Sequence, residues 1–118
     1  MENINDINLL LDFYGALLGE KQRSVCEMYY GLDMTLAEIA EEAGISRQAA
    51  SQSIAKSLKQ LHGYDEKLGL LKRFKAARDI VGDIDGDVKK IPAEALSPEA
   101  KEILDGIEEK LGGLFDVL

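Results

Sequence analysis

Apolar residues recur at helical spacing along most of the chain, and this pattern carries most of the information about the fold. After the polar residues Asn5 and Asp6, apolar side chains stand at Ile7, Leu10, Leu11, Tyr14, Leu17 and Leu18. Spacings of three and four residues are typical of one face of an α-helix. No segment shows the alternation of apolar and polar residues that is typical of a half-buried strand. The sequence therefore predicts an all-α fold.

The sequence from Thr35 to Leu61 predicts two helices that meet across a very short turn. Thr35 and Glu38 have the spacing of a capping box, so a short helix is expected to begin there. Gly44 suits the left-handed end of that helix, and Ser46 suits the N-cap of the next one. The second helix has an apolar inward side and a polar outward side. This is the pattern of a helix-turn-helix, whose second helix enters a groove of nucleic acid.

Polar and basic side chains on the outward side of the second helix are the candidate nucleic-acid contacts. The candidates on this helix are Arg47, Gln48, Ala49, Gln52, Lys56 and Lys59. Residues near the N-terminus of such a helix reach base edges most easily, so the two glutamines and the alanine are expected to read bases. The two lysines are expected to meet backbone phosphates, and the arginine to contact phosphate or to pack locally. The alternative interpretation is an ordinary helical hairpin with a solvated polar side.

The apolar pattern divides the chain into a main helical domain, a linker and a C-terminal helix. Residues 1–81 are predicted as the helical domain that contains the helix-turn-helix, and residues 82–97, rich in Gly and Asp, as an acidic linker. Ser97 and Pro98 have the pattern of an N-cap followed by a first-turn proline, which predicts an amphipathic helix over residues 98–118. The apolar stripe of this helix is expected either to cover the other helices or to pack on a second chain.

The charge of the chain is divided into three segments of alternating sign. The 118 residues include 22 acidic and 14 basic side chains, for a net charge of −8. Residues 1–45 carry −7, residues 46–78 carry +6 and residues 79–118 carry −7. The net charge excludes a strong, indiscriminate polyanion binder, whereas the basic middle segment favours local contact with nucleic acid. Lys72 and Lys75 are expected to extend this contact along phosphates, or otherwise only to solvate a helix.

The sequence lacks motifs for catalysis, cofactors and metals. Its one cysteine, Cys26, and its one histidine, His62, have none of the neighbouring partners that a catalytic or metal site needs. Cys26 is therefore expected to be a buried packing residue, and neither enzyme activity nor a cofactor is expected.

Apolar runs are too short to cross a membrane, and the start of the chain lacks a basic targeting region. The expectation is a soluble cytoplasmic protein without membrane insertion.

Several sequence blocks resemble known proteins. Residues 32–49, LDMTLAEIAEEAGISRQA, resemble region 4 of bacterial sigma factors, which is a helix-turn-helix module. Further blocks narrow the resemblance: LLLDFY at residues 9–14, KQR at 21–23, MYY at 28–30 and YDEKLGLL at 64–71. Together, and in this order, the blocks are similar to the YlxM family of small, helical, sigma-like proteins.

Proteins of the YlxM family are associated with the bacterial signal recognition particle. The resemblance therefore implies a dimeric, non-enzymatic accessory protein that engages the RNA or the GTPase subunit of the particle. Combined with the basic second helix, it predicts a nucleic-acid-binding accessory protein of the signal recognition particle pathway. One alternative is a DNA-binding transcriptional regulator that reads bases through Gln48, Ala49 and Gln52. The other is a protein-interaction module that binds the GTPase and no nucleic acid.

Overall fold

A computed structural model describes residues 3–118, which form six α-helices joined by short segments. The helices are α1 at Ile4–Tyr14, α2 at Glu20–Cys26, α3 at Leu36–Ala43, α4 at Arg47–Leu68, α5 at Leu70–Lys89 and α6 at Pro98–Val117. The shorter elements are two 3-10 turns, Gly15–Leu17 and Ala93–Ala95, and a π-helical turn, Glu27–Gly31. These described residues contain no strand, so the predicted all-α fold is confirmed. None of their helices is long and apolar enough to cross a membrane.

The described residues fall into two compact units, the first ending at Leu71 and the second comprising Lys72–Leu118. In the first unit the buried apolar side chains form two clusters. The first core cluster comprises Leu10, Leu11, Tyr14, Leu18, Cys26 and Leu61. The second core cluster comprises Val25, Ile39, Ala50 and Ile54. Helix α4 contributes to both clusters and packs against α1, α2 and α3, so it is the central element of this unit.

The end of α3 and the starts of α3 and α4 have the caps that the sequence predicts. The Thr35 hydroxyl accepts a hydrogen bond from the Glu38 N–H at 3.1 Å, and the Glu38 carboxylate accepts one from the Thr35 N–H at 3.0 Å. Gly44 ends α3 with a φ of 68°, in the left-handed region that favours glycine. The Ser46 hydroxyl then accepts from the Ala49 N–H at 3.0 Å. The predicted helix-turn-helix is thus present, with three residues between its helices.

Helix α4 extends further than the apolar pattern indicates. The sequence predicts inward residues only as far as Leu61, whereas the helix continues through Gly63 to Leu68. A glycine inside a helix costs about 1 kcal/mol relative to alanine. Tyr64 offsets this cost because it packs an aromatic ring against the first core cluster one residue later. The helix then ends at Gly69, whose φ of 64° again lies in the left-handed region.

The start of α5 is capped by the side chains of Tyr14 and Asp65. The Tyr14 hydroxyl accepts a hydrogen bond from the Leu70 N–H at 3.3 Å, and the Asp65 carboxylate accepts one from the Leu71 N–H at 3.1 Å. The Tyr14 hydroxyl also donates to the Asp65 carboxylate at 2.8 Å. Burial, together with this carboxylate, raises the pKa of Tyr14, so the hydroxyl stays protonated and remains a donor. A side chain of α1 thus fixes where α5 begins.

The second unit contains most of α5 and all of α6, but it has few buried side chains. Val81 and Leu111 are its buried apolar residues. The Arg78 guanidinium lies 5.9 Å from the ring centroid of Phe74 and 5.8 Å from that of Phe115. These contacts of a cation with two aromatic rings join α5 to α6. The two helices therefore bury little of their apolar surface against each other.

Part of the segment predicted as an acidic linker, residues 82–97, is helical. Helix α5 continues to Lys89, so the first half of this segment is helix rather than linker. The Lys89 ammonium pairs with the Asp85 carboxylate at 2.9 Å, four residues away, and this pair supports the helix despite its two glycines. The helix ends before Pro92, because proline disfavours the helical conformation in the residue that precedes it. The compact units also divide earlier than the predicted domains, after Leu71.

Helix α6 begins where the sequence predicts. The Ser97 hydroxyl accepts a hydrogen bond from the Ala100 N–H at 3.1 Å, and Pro98 is the first helical residue. Proline suits this position because the N–H that it lacks has no partner in the first turn. The helix then continues through both of its adjacent glycines to Val117.

Replacing Tyr14 with phenylalanine removes the hydroxyl and keeps the ring in the core. We expect Tyr14→Phe to lower the free energy of unfolding by about 1–2 kcal/mol, because a partly buried hydrogen bond to a carboxylate and a helix cap are both lost. Urea denaturation followed by circular dichroism measures the change. Tyr29→Phe is the matched control, since Tyr29 is 36% exposed and its substitution should change stability by less than about 0.5 kcal/mol. Equal effects of the two substitutions would contradict the capping role of Tyr14.

Candidate nucleic-acid interface

Helix α4 has one buried side and one exposed side. The buried side is formed by residues three and four positions apart: Ala50, Ile54, Ser57 and Leu61. The exposed side carries four of the predicted contact residues: Gln48, Gln52, Lys56 and Lys59. At 1.5 Å of rise per residue, this exposed row extends about 16 Å along the helix. Burial of the opposite side therefore presents the four side chains to solvent as one surface.

The exposed side of α4 carries positive charge with no carboxylate between Arg47 and Tyr64; the exposed Glu66 lies on the same side, near the end of the helix. Residues 43–64 contain no Asp or Glu, although the chain has 22 acidic residues. The same stretch contains Arg47, Lys56 and Lys59, all of them exposed. Unopposed basic side chains create a local positive potential that attracts phosphate. Part of the +6 segment of the sequence thus forms a basic surface on α4.

The eight predicted contact residues differ in their placement. Arg47, the first residue of α4, is exposed, as are the four residues of the row. Ala49 is half-buried and borders a groove, so its methyl group does not belong to the exposed row. Lys72 and Lys75 are exposed on α5, within the second unit. Five of the eight predicted side chains are therefore exposed on α4, and four of them form the row.

A buried polar contact orients α4, and the sequence pattern missed it. Ser57 is fully buried, and its hydroxyl accepts a hydrogen bond from the Gln22 side chain of α2 at 3.2 Å. The same Gln22 amide donates to the Gln60 side chain at 3.0 Å. The only signal in the sequence is that Ser57 stands at inward spacing between Ile54 and Leu61. Because both bonds connect α2 with α4, they reinforce the rotation of α4 that its buried apolar side chains set.

Cys26 packs beside this polar contact and is fully buried, as the sequence predicts. Burial raises the pKa of its thiol, an effect that a hydrogen bond with Ser57 reduces. The thiol therefore stays protonated and behaves as a small apolar group. Across residues 3–118, the structure brings together no group of three or more His, Cys, Asp or Glu side chains that could hold a metal ion.

Helix α3 carries charge of the opposite sign to α4. Its exposed carboxylates are those of Glu38, Glu41 and Glu42, and the helix contains no Lys or Arg. The hydrogen bond that Glu38 accepts from the Thr35 N–H lowers the pKa of the carboxyl group, so this charge persists in mild acid. In helix-turn-helix complexes the first helix crosses the nucleic-acid backbone. The carboxylates of α3 repel phosphate, so of these two helices only α4 has an exposed side whose charge suits a phosphate backbone.

Comparison with known proteins agrees with this architecture. The sequence model of the UPF0122 family, described as YlxM/p13-like helix-turn-helix proteins, matches residues 1–111. The chain belongs to the UPF0122 family. The UPF0122 protein of Desulforamulus reducens is 39% identical over 114 residues, which cover 93% of this chain and 97% of that protein.

Two further relatives of this UPF0122 protein show similar coverage. A UPF0122 protein of Clostridium perfringens is 43% identical over 106 residues, covering 81% of this chain and 95% of its own. One from Bacillus cereus is 37% identical over 109 residues, covering 92% of this chain and 97% of its own. The predicted resemblance to the YlxM family is thereby confirmed. Because the family match runs from α1 into α6, the second unit belongs to the family pattern together with the helix-turn-helix.

The cap of α3 gives the helix-turn-helix a dependence on pH. Because the pKa of Glu38 is lowered from its ordinary value of 4.5, its contribution to stability is present above that pH and is lost as the pH falls through the folded-state pKa. We expect the difference in stability between wild type and Glu38→Gln to be largest near neutral pH and to shrink in acid. Urea denaturation of both proteins, from neutral to acidic pH, measures this difference in the free energy of unfolding. Glu41→Gln, which lies outside the first turn of α3, is the control, and an identical pH profile for both variants would refute the prediction.

Proposed function

We propose that this UPF0122 protein binds nucleic acid through the exposed side of α4 and acts as an accessory protein of the signal recognition particle pathway. The observation that supports nucleic-acid binding most directly is the exposed basic row on α4, which has no carboxylate within it. Lys56 and Lys59 contact phosphates in this arrangement, and Arg47 adds a contact from the first turn. The amides of Gln48 and Gln52 meet base edges or phosphate oxygens.

The RNA of the particle is the proposed target. The resemblance to the YlxM family supports the association with the particle. The charge distribution supports contact through one helical surface, because the carboxylates of α3 repel phosphate. A surface that meets mainly the backbone suits RNA, whose helices are recognised largely by shape. Lys72 and Lys75 on α5 are proposed as further phosphate contacts from the second unit.

The salt dependence of RNA binding tests the role of the two lysines on α4. Each neutralised phosphate contributes about −0.7 to −0.9 to the slope of log affinity against log salt concentration. In filter-binding titrations with the particle RNA, we expect Lys56→Ala/Lys59→Ala to bind more weakly than wild type, with a slope that is shallower by about 1.4–1.8. Lys101→Ala/Lys110→Ala is the matched control, because it removes two exposed lysines from α6.

The result of these titrations decides between contact through α4 and general attraction to basic residues. Loss of affinity in the α4 variant, with little change in the α6 variant, supports the proposal. Absence of salt-dependent RNA binding in the wild type, or equal losses in both variants, contradicts it. Lys72→Ala/Lys75→Ala extends the same test to α5, where a similar change in slope assigns phosphate contacts to the second unit.

A second candidate function, sequence-specific binding to duplex DNA, is favoured by two exposed amides near the start of α4. Gln48 and Gln52 stand one turn apart, in the part of the helix that reaches base edges. A bidentate amide contact discriminates against the wrong base by about 1–3 kcal/mol. Selective duplex binding that is lost in Gln52→Ala, without any RNA binding, would favour this function. A GTPase that co-purifies through nuclease treatment and high salt, with no nucleic acid, would favour the protein-interaction alternative.

We further propose that the protein forms a homodimer through its second unit. Large apolar side chains are exposed along both of its helices: Ile80 is 60% and Ile84 44% exposed on α5, and Ile103 is 67%, Ile107 40% and Leu114 40% exposed on α6. Soluble proteins rarely leave so much apolar surface uncovered unless it forms an interface. A second copy supplies the same surface and closes the assembly by two-fold symmetry.

Measurement of the mass in solution tests the homodimer. Light scattering is expected to give twice the chain mass of 13.0 kDa for the wild type, and Ile103→Asn/Ile107→Asn is expected to shift the mass toward the monomer because it places amides in the apolar interface. Leu17→Asn is the control, since Leu17 is 58% exposed in the first unit. A monomeric wild type, or an equal shift in the control, would refute the dimer.

A further inference from the structure

A groove on the first unit borders the flank of α4. Its volume is about 690 Å³, and its walls come from α2, the π-helical turn that follows α2, the end of α3, the turn between α3 and α4, and α4 itself. The apolar side chains that line it are those of Val25, Met28, Ala43, Ile45 and Ala49. The groove therefore combines a concave shape with an apolar lining, the features by which proteins hold apolar side chains of a ligand or partner.

The two largest of the accessible apolar lining residues are Ile45 and Met28. Ile45 lies in the short turn of the helix-turn-helix and is 37% exposed. Met28 is half-buried and packs against the second core cluster. Methionine adapts its unbranched side chain to differently shaped partners. The groove thus offers one rigid and one adaptable apolar contact.

A distortion of the helix backbone forms one wall of the groove. Met28 belongs to the π-helical turn Glu27–Gly31, which continues α2. The Met28 carbonyl accepts a hydrogen bond from the Met34 N–H at 3.0 Å, and the Tyr30 carbonyl accepts one from the Asn8 side chain at 3.2 Å. These partners from outside the turn hold the distortion in place. Turns of this type are rare and occur frequently at functional sites.

The charged residues around the groove are mainly acidic. Glu20, Glu42 and Lys21 are its charged lining residues. Residues 20–45, which provide most of the lining, contain six acidic and only two basic side chains. Their negative potential attracts basic side chains and repels phosphates. The charge at the groove is thus opposite to that of the exposed row on α4.

We propose that this groove binds a basic amphipathic helix of a protein partner. The apolar side chains of such a helix recur every three or four residues, and they pack against Met28, Ile45 and Ala49. Its Lys or Arg side chains face Glu20 and Glu42. A nucleic acid does not fit this description, because its phosphates meet carboxylates and it offers no aliphatic side chains to cover the isoleucine. The groove is therefore a second binding surface that differs from α4 in both charge and chemistry.

Synthetic peptides provide a direct probe of the groove. The probe is a fluorescein-labelled helical peptide with Leu at helical spacing on one face and Lys on the other. One comparison peptide has the same composition in scrambled order, and a second has Glu in place of Lys. By fluorescence anisotropy at moderate salt, we expect the basic amphipathic peptide to bind at least about tenfold more tightly than either comparison peptide.

Substitutions locate the bound peptide. Ile45→Asn and Glu42→Arg change exposed residues of the groove and remove no buried side chain. Each is expected to weaken binding by about threefold to tenfold, through loss of an apolar contact in the first and of charge complementarity in the second. Glu66→Arg makes the same charge change at an exposed position of α4 that does not line the groove, and we expect less than about a twofold effect.

Methyl NMR gives a readout that is independent of affinity. Met28 and Met34 both pack against the second core cluster, but only Met28 lines the groove. In protein labelled at the methionine methyl groups, the Met28 signal is expected to shift on addition of the basic peptide. The Met34 signal is expected to remain in place. A Met28 signal that does not move would overturn the proposal.

Several other results would also overturn it. One is that the scrambled peptide binds as tightly as the basic amphipathic peptide. Another is that Glu66→Arg changes the affinity for the peptide whereas Ile45→Asn and Glu42→Arg do not. A change in the mass of the free protein caused by Ile45→Asn would identify the groove as a contact between copies of this chain instead. Lys56→Ala/Lys59→Ala is expected to bind the peptide as the wild type does. Failure of the groove proposal is therefore distinguishable from failure of the nucleic-acid proposal.

Discussion

Helix α4 packs one side against α1, α2 and α3, and the exclusion of water from that side sets the geometry of the first unit. Burying a side chain such as Ile54 or Leu61 stabilises the fold by about 1.5–3 kcal/mol. This apolar burial sets which side of α4 faces inwards. The hydrogen bond between Gln22 and Ser57 adds a directional constraint on the rotation of α4, because a rotated helix would leave the buried hydroxyl without this partner. Apolar burial and this polar contact together determine the outward side of α4.

The short turn of the helix-turn-helix joins helices of opposite charge. Gly44 allows the reversal, so the carboxylates of α3 and the basic side chains of α4 stand within one small unit. A protein with a net charge of −8 has little attraction for polyanions in general. A positive surface on one helix, beside a negative groove, instead favours partners that match a local pattern.

The second unit exposes many apolar side chains and buries few of them, unlike the first unit. Val81 and Leu111 are buried within it, and Arg78 connects its helices through two aromatic rings. Two helices with so few buried side chains gain little free energy from their own packing, because hydrophobic stabilisation scales with the apolar area removed from water. Local features hold the individual helices instead, among them the Ser97 cap and the ion pair of Lys89. Further apolar burial must come from contacts outside this pair of helices.

The sequence by itself determined the all-α class, the helix-turn-helix and the caps around Thr35 and Ser46, because each of these depends on residues within a few positions of one another. The candidate surface on α4 was predicted for the same reason, since helical periodicity assigns its sides. Only the tertiary structure decided that α4 continues past Gly63 and that Tyr14 caps α5. It also decided that Ser57 is buried and that a groove lies beside the turn between α3 and α4. These features join residues that are far apart in the chain. Local pattern does not specify such neighbours, because they are chosen by packing of the whole unit.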